Sequence, residues 1–442
     1  MKYRILHKIT VLLLIISLFS SCNDKSLKNN NPLINGSPVA QGFSTEGLDQ
    51  IDHLFGEYID RHEIAGAIAV IARRGKIIYY KATGYSDLEH QVPLKKDAIF
   101  RIASQTKAIT SVAVMMLYEE GRIGLNDPIS KYLPEFSNPC LVADFNKRDS
   151  TYTTRPVSRE VTIHDLLTHT SGYCYPGGGS DTINAIYAKD QIVGAIPSKN
   201  LILKSEMQKI SEVPLEFEPG KRFCYGLSTD ILGYLVEELS GQTLSDFFSS
   251  RIFKPLGMND TYSLIPLKKQ ERLMILYKSG PDGNGIVKDT SVMADYPKAE
   301  GTYCSGGGGL SSTAMDYAIF MQMLLNEGSY NGIRILKPET VRMMTRNHIG
   351  KRGAGSLFIR STDKFGLGFE VILPPNTEDS PISNGSYGWG GAFGSLYWID
   401  PCNEFIVQLV IQKEGEYTGL RSNFIDAIYN AFKKSVKNQG QE

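Results

Sequence analysis

The stretch Ser104-Gln105-Thr106-Lys107-Ala108-Ile109-Thr110-Ser111-Val112-Ala113-Val114-Met115-Met116-Leu117-Tyr118-Glu119-Glu120 decides how this 442-residue chain is read. It holds no Gly or Pro, stops at Gly121 and is apolar nearly all round, so it predicts a helix buried at the centre of the molecule. A Ser and a Lys three apart on a helix share a face about one turn from each other, which brings the Lys107 ammonium within reach of the Ser104 hydroxyl. At the N-terminus of a buried helix, desolvation and the positive end of the dipole both lower the lysine pKa toward that of a usable base. S-x-x-K alone arises often by chance. The apolar helix directly behind it is the setting in which a solvated surface lysine is not expected.

Before this helix, Leu48, Ile51, Leu54, Phe55, Tyr58 and Ile59 recur at helical spacing, and Ala67 to Ala72 is an apolar strand run. Arg73-Arg74-Gly75 turns the chain, and Lys76 to Tyr80 returns it as an antiparallel partner. From Asn126 to Lys337 the pattern is helices and long loops, with helices expected at Ile163 to Leu167, Thr229 to Leu239, Leu244 to Phe253 and Ala314 to Asn326. Phe365 to Ile372, Tyr387 to Ile399 and Phe405 to Gln412 then read as successive antiparallel strands, and Gly419 to Val436 as a closing helix. Strands from both chain ends with a helical middle predict an α+β fold, an α/β sandwich lobe joined to a helical lobe.

The first 21 residues look like an export signal: Lys2, Arg4 and Lys8 precede an apolar stretch from Ile9 to Leu18, and Ser20-Ser21-Cys22 follows. The apolar stretch is too short to span a bilayer as a helix. Small residues followed by Cys resemble a bacterial lipobox, so Cys22 is the expected lipid anchor of an envelope protein, with residues 22–45 as a flexible tether and one domain over 46–437. Phe19 is a looser match than the usual lipobox residue. Overall 47 Lys and Arg balance 47 Asp and Glu with no basic run, which argues against a nucleic-acid partner. Beyond Cys22, the five cysteines Cys140, Cys174, Cys224, Cys304 and Cys402 match no zinc spacing, and one or two bridges stay open in an oxidising compartment.

Two further constellations accompany Ser104 and Lys107. Phe223-Cys224-Tyr225-Gly226-Leu227-Ser228-Thr229-Asp230 sets a tyrosine in a loop just before a helix. Gly388-Trp389-Gly390-Gly391-Ala392-Phe393-Gly394 places glycines inside a strand pattern, where a substrate can approach the backbone closely. Taken singly, a core tyrosine and a bulged strand explain them.

In this order the motifs resemble those of the serine β-lactamase and penicillin-binding protein superfamily, in its class C β-lactamase-like branch with D-alanyl-D-alanine carboxypeptidases, esterases and acyltransferases. The resemblance runs from about Leu48 to Phe432. It includes Asp165-Leu166-Leu167-Thr168-His169-Thr170-Ser171-Gly172, Phe217-Glu218-Pro219-Gly220, Pro255-Leu256-Gly257-Met258 and Ser305-Gly306-Gly307-Gly308-Gly309-Leu310-Ser311-Ser312. It implies a β-lactamase/transpeptidase-like fold with a central antiparallel sheet flanked by helices and the site in the cleft between lobes.

Carried over by residue, the resemblance implies Ser104 as an acyl-forming nucleophile, Lys107 as its base or proton relay, and Tyr225 as a general base that then protonates the leaving group. The backbone N–H groups of Ser104 and Ala392 would form the oxyanion hole, and Trp389, Gly390, Gly391 and Phe393 would meet substrate. His169 sits in a motif that looks structural, and the Gly306 to Gly309 run reads as a tight turn near the site. Neither a metal nor an organic cofactor is expected.

Two departures bear on substrate. The third position of the usual Tyr-x-Asn is Leu227, which offers no amide, and the usual Lys-Thr-Gly strand motif reads Trp389-Gly390-Gly391, which removes the cation that meets a β-lactam or peptide carboxylate. The leading expectation is therefore a serine hydrolase acting on an ester or related acyl compound in the cell envelope. A penicillin-binding carboxypeptidase or β-lactamase on peptidoglycan-derived substrates is the alternative, and a non-catalytic envelope binding module the second. An α/β-hydrolase lacks its G-x-S-x-G here, since Gly226-Leu227-Ser228-Thr229-Asp230 fails at the last position.

Overall fold

The computed structural model describes residues 32–194, 196, 201–298, 303–352, 364–373, 381–415 and 419–439, so Cys22 and the leader lie outside the described residues. The chain joins the fold earlier than its composition predicts. Ile34–Asn35 (β1) pairs in parallel with Lys76 and Ile77, the Leu33 N–H donates to the Tyr330 hydroxyl at 2.9 Å, and Phe43 is fully buried between the rings of Phe405 and Phe432. Residues 32–44, expected as part of a flexible tether, are thus packed on the domain, because Phe43 gains more by burial than a polar-looking segment suggests.

Ser44 caps the next helix, Thr45–Asp60 (α1), its Oγ accepting the Gly47 N–H at 2.8 Å. Gly66–Arg73 (β2) and Lys76–Asp87 (β3) form the expected hairpin, and Ile99–Arg101 (β4) leads into Thr106–Glu119 (α2). Every residue of α2 from Thr106 to Leu117 is buried. Further along, Cys140–Asn146 (β5) and Thr151–Pro156 (β6) make a mostly exposed hairpin where loop was expected. With little of β5 buried, it lacks the apolar alternation by which strands announce themselves. Ile163–Leu167 (α3), Ser228–Ser240 (α4) and Ala314–Leu325 (α5) supply much of the helical lobe, and Ser311–Thr313 (β7) pairs with β4.

The last part of the sheet differs from its expected strands in two places. Phe365 to Ile372 is a tight hairpin of Lys364–Phe365 (β8) and Glu370–Val371 (β9), since Gly366 and Gly368 break the run. Tyr387 to Ile399 is two strands, Tyr387–Gly390 (β10) and Leu396–Asp400 (β11), joined by a turn at Gly391 to Ser395. Phe405–Val410 (β12) and the closing helix Leu420–Gln439 (α6) follow.

Among the described residues the main sheet runs β1-β3-β2-β12-β11-β10-β9-β8, antiparallel but for β1. Both faces of its middle are covered. Along β2, Ala67, Ala69 and Ile71 pack with α1 and α6, while the alternate Ile68, Val70 and Ala72 pack with the helical lobe; Phe405, Val407 and Leu409 against Ile406 and Val410 repeat this on β12. That two-sided burial is why these strands read as continuous apolar runs. The fold is the expected α+β arrangement.

Candidate active site

The nucleophile candidate stands where β4 turns into α2. Ile102 N–H donates to Leu310 O at 3.0 Å, and Ala103 then takes a left-handed φ of 45° in the turn that delivers Ser104. A non-glycine residue there carries backbone strain, eased by alanine's single methyl. The buried α2 is fixed to the glycine run by Thr110 Oγ1, which donates to Gly306 O at 2.7 Å, and by Thr106 Oγ1, which accepts the Leu310 N–H at 3.2 Å.

Lys107 is 2% exposed. Its Nζ lies 3.3 Å from Ser104 Oγ, 2.8 Å from the Tyr175 hydroxyl and 2.6 Å from Gly307 O. All three partners are uncharged, so burial dominates and lowers its pKa from 10.5 to about 7, opposed only by the nearby Asp230 charge. Its ammonium also sits 4.5 Å from the centroid of the Tyr225 ring and 5.1 Å from that of Tyr175.

Tyr225 completes the group. Its oxygen accepts the Trp389 indole N–H at 3.0 Å, and the neighbouring Ser104 hydroxyl favours its ionised form. Burial raises its pKa, so it remains a phenol at neutral pH. His169 braces this loop from behind: its carbonyl accepts the Cys224 N–H at 2.8 Å, its Nδ1 accepts the Gly226 N–H at 3.4 Å, and its ring lies 4.8 Å from that of Tyr225. Burial, assisted by the Lys107 charge, holds this imidazole neutral, a scaffold rather than a proton carrier.

Two members of the cluster were absent from the sequence reading. Tyr175 contacts Lys107 directly, as above. Asp230, wholly buried on α4, accepts the Ser305 hydroxyl at 2.5 Å and the Gly307 N–H at 3.2 Å, so it fixes the glycine whose carbonyl holds Lys107. Gly307 cannot bear a side chain here: a Cβ would lie 2.5 Å from Asp230 Oδ2 and 2.7 Å from the Tyr175 hydroxyl. The expected tight turn is present, with Gly309 N–H donating to Ser305 O at 2.9 Å.

On the opposite wall, the β10–β11 turn exposes Ala392 while Gly390 and Gly391 stay buried. Phe393, expected to meet substrate, is instead fully buried with Ala103, Leu276 and Tyr296. It supports the turn from behind because its ring is turned into that small core. Trp389 is 3% exposed and packs on Phe365 and Tyr225. Among the described residues no three His, Cys, Asp or Glu side chains are grouped so as to hold a metal ion.

A Ser-Lys-Tyr cluster built around a buried lysine beneath a glycine turn sits in a chain that is matched by the family model described as Beta-lactamase over residues 51–428. The chain belongs to the Beta-lactamase family. Relatives within reach of this Beta-lactamase family chain include esterase EstB of Burkholderia gladioli, 29% identical over 86% of this chain and 94% of the relative. A candidate D-alanyl-D-alanine carboxypeptidase of Escherichia coli K12 is 27% identical over 91% of this chain and 90% of its own length. Among solved structures, EstCE1, a hydrolase with promiscuous acyltransferase activity, superposes with a TM-score of 0.75 at 26% identity, covering 88% of this chain and all of that one. Like its family, this chain is a serine hydrolase.

Proposed function

We propose that this chain hydrolyses carboxylic esters through an acyl-enzyme on Ser104. The observation that carries the reading is Lys107, buried among uncharged partners 3.3 Å from the Ser104 hydroxyl, so that a neutral amine is available near pH 7. The amine takes the Ser104 proton as Oγ bonds to the ester carbonyl carbon, and the developing oxyanion falls to the N–H groups of Ser104 and Ala392. Collapse breaks the carbon–alkoxide bond. Tyr225, held protonated by burial, gives its proton to the departing alkoxide, and the proton on Lys107 makes up the loss. Water then attacks the acyl carbon, losing a proton to the Lys107 amine; the acyl carbon–Oγ bond breaks, that proton returns to Ser104 Oγ, and the free acid leaves.

Two positions beside the cluster support an ester over a peptide or β-lactam. Leu227 is fully buried and apolar, and Trp389 occupies the position of the family's strand lysine, so no amide or cation from these two positions meets a substrate carboxylate. Intact-protein mass spectrometry after exposure to a fluorophosphonate, a penicillin and a short-chain ester, with Ser104→Ala alongside, tests this. A Ser104-dependent fluorophosphonate adduct with ester turnover and little penicilloyl adduct is expected. A stable penicilloyl adduct on Ser104 would instead favour the carboxypeptidase reading, and no adduct from any probe the non-catalytic one.

The same proposal places the enzyme at the cell envelope, held by a lipid on Cys22. The support is the leader's charge, its short apolar stretch and the Ser-Ser-Cys junction. Cys22→Ala should move the protein from the membrane to the soluble fraction; equal fractionation of the two would count against the anchor.

A further inference from the structure

Two dipeptides of identical composition, Cys174-Tyr175 and Cys224-Tyr225, lie 50 residues apart, and the fold joins them through a disulfide between the cysteines, with Cα atoms 5.5 Å apart. Each cysteine is therefore bonded through one peptide to a tyrosine that faces Lys107. The two loops are also tightly apposed: Leu227 N–H donates to Tyr173 O at 3.1 Å, Tyr175 N–H to Tyr225 O at 3.4 Å, and a Cβ on Gly226 would overlap the backbone of Tyr173 and Cys174. The tyrosine rings meet edge to face, centroids 5.5 Å apart.

We propose that the Cys174–Cys224 disulfide is a positioning element for Tyr175 and Tyr225, so that reduction of this one bond lowers turnover while Ser104 and the fold stay in place. This inference rests on the ester-hydrolase reading. The two tyrosine loops are backed unequally. His169 and α4 back the Tyr225 side, whereas Pro176, Gly177 and Gly178, directly after Tyr175, are exposed. A loop running into solvent through two glycines holds its preceding residue weakly, and a displacement near 1 Å in an active site can cost about a hundredfold in rate. His169, which reaches only the Cys224 side, cannot substitute for the bond.

Access is one-sided. Cys174 is fully buried and Cys224 half-buried, so a thiolate from a small dithiol attacks Cys224 Sγ and displaces Cys174 as the leaving thiolate. The reductant's second thiol then releases Cys224 and closes the reductant as a cyclic disulfide. Two electrons and two protons pass from the dithiol to the cysteine pair.

The test compares the parent, the parent reduced with dithiothreitol, the reduced protein after reoxidation, and the double variant Cys174→Ser/Cys224→Ser. Each is followed by kcat and KM on a p-nitrophenyl ester, by the rate of fluorophosphonate labelling of Ser104, and by circular dichroism at the assay temperature. Reduction and the double variant should each lower kcat about tenfold or more, with KM within about threefold and the fold retained. Reoxidation should restore the parent, and dithiothreitol should leave the double variant unchanged, which separates this bond from effects at Cys140 or Cys304. Unchanged kcat in the folded, reduced protein overturns the inference, as does finding Cys174 and Cys224 both alkylated in protein purified without reductant. Loss of the fold on reduction assigns the bond to stability and overturns it equally. If the oxidised parent neither labels at Ser104 nor turns over ester, the hydrolase reading itself falls and this inference with it.

Discussion

The indole N–H of Trp389 donates to the phenol oxygen of Tyr225 at 3.0 Å, tying the sheet wall of the cleft to its acid–base group. Trp389, at the position where the family resemblance implies a cation, supports the tyrosine instead. Trp389→Phe keeps the ring contact but removes the donor, and kcat/KM for a short ester should fall about fivefold, the worth of one hydrogen bond. Trp389→Lys should cost more esterase activity yet raise the penicilloyl adduct on Ser104. Absence of any gain in penicillin acylation would mean that the missing cation does not set substrate choice.

The pH dependence of turnover should report Lys107. With its pKa lowered to about 7 by burial, the amine is protonated and inactive below that value, so kcat/KM should rise with pH and reach half its plateau near pH 7. A plateau extending unbroken down to pH 5 would remove Lys107 as the base.

The same burial carries a stability cost of definite sign. Lys107 titrates near 7 when folded and near 10.5 when unfolded, so the unfolded chain binds the extra proton between those values. The cost is complete below pH 7 and fades as pH rises to 10.5. Lys107→Met should therefore be inactive but more stable than the parent at pH 7, by up to about 5 kcal/mol at about 1.4 kcal/mol per pKa unit. Urea unfolding of both proteins at pH 7 and pH 10 checks this, and the gap should be smaller at the higher pH. An equal gap at both would refute the burial argument.

Gly307→Ala should injure both stability and rate. The methyl lies 2.5 Å from Asp230 Oδ2 and 2.7 Å from the Tyr175 hydroxyl, neither of which is the end of a long flexible chain. Overpacking of this kind costs about 1–3 kcal/mol, and the carbonyl that holds Lys107 must shift with it. Thermal melts together with kcat should show both losses; a variant as active as the parent would mean the Gly307 carbonyl is dispensable.

What could be read from the sequence depended on whether the signal was local. Ser104 and Lys107 share one helical turn backed by an apolar helix, and β2 and β12 are apolar on both faces, so local pattern located them. Tyr175 and Asp230 meet Lys107 across 68 and 123 residues of chain, and no periodicity reports such a meeting. The one available hint was the repeated Cys-Tyr pair, which an odd cysteine count obscured. Tyr387 to Ile399 reads as one strand because apolar residues continue on both sides of the glycines, whereas residues 391–395 form the turn that exposes Ala392 and buries Phe393. The exposed β5–β6 hairpin carried too little apolar alternation to be seen.

The packing of residues 32–44 on the sheet has a consequence for reach. With Ile34 paired beside β3, the proposed lipid on Cys22 would be joined to the folded body by the stretch from Asn23 to Leu33, a span of no more than about 40 Å at roughly 3.5 Å per residue. Held by such an anchor, the enzyme would sample a shallow layer above the bilayer, and its natural esters would be those that dwell in or pass through that layer.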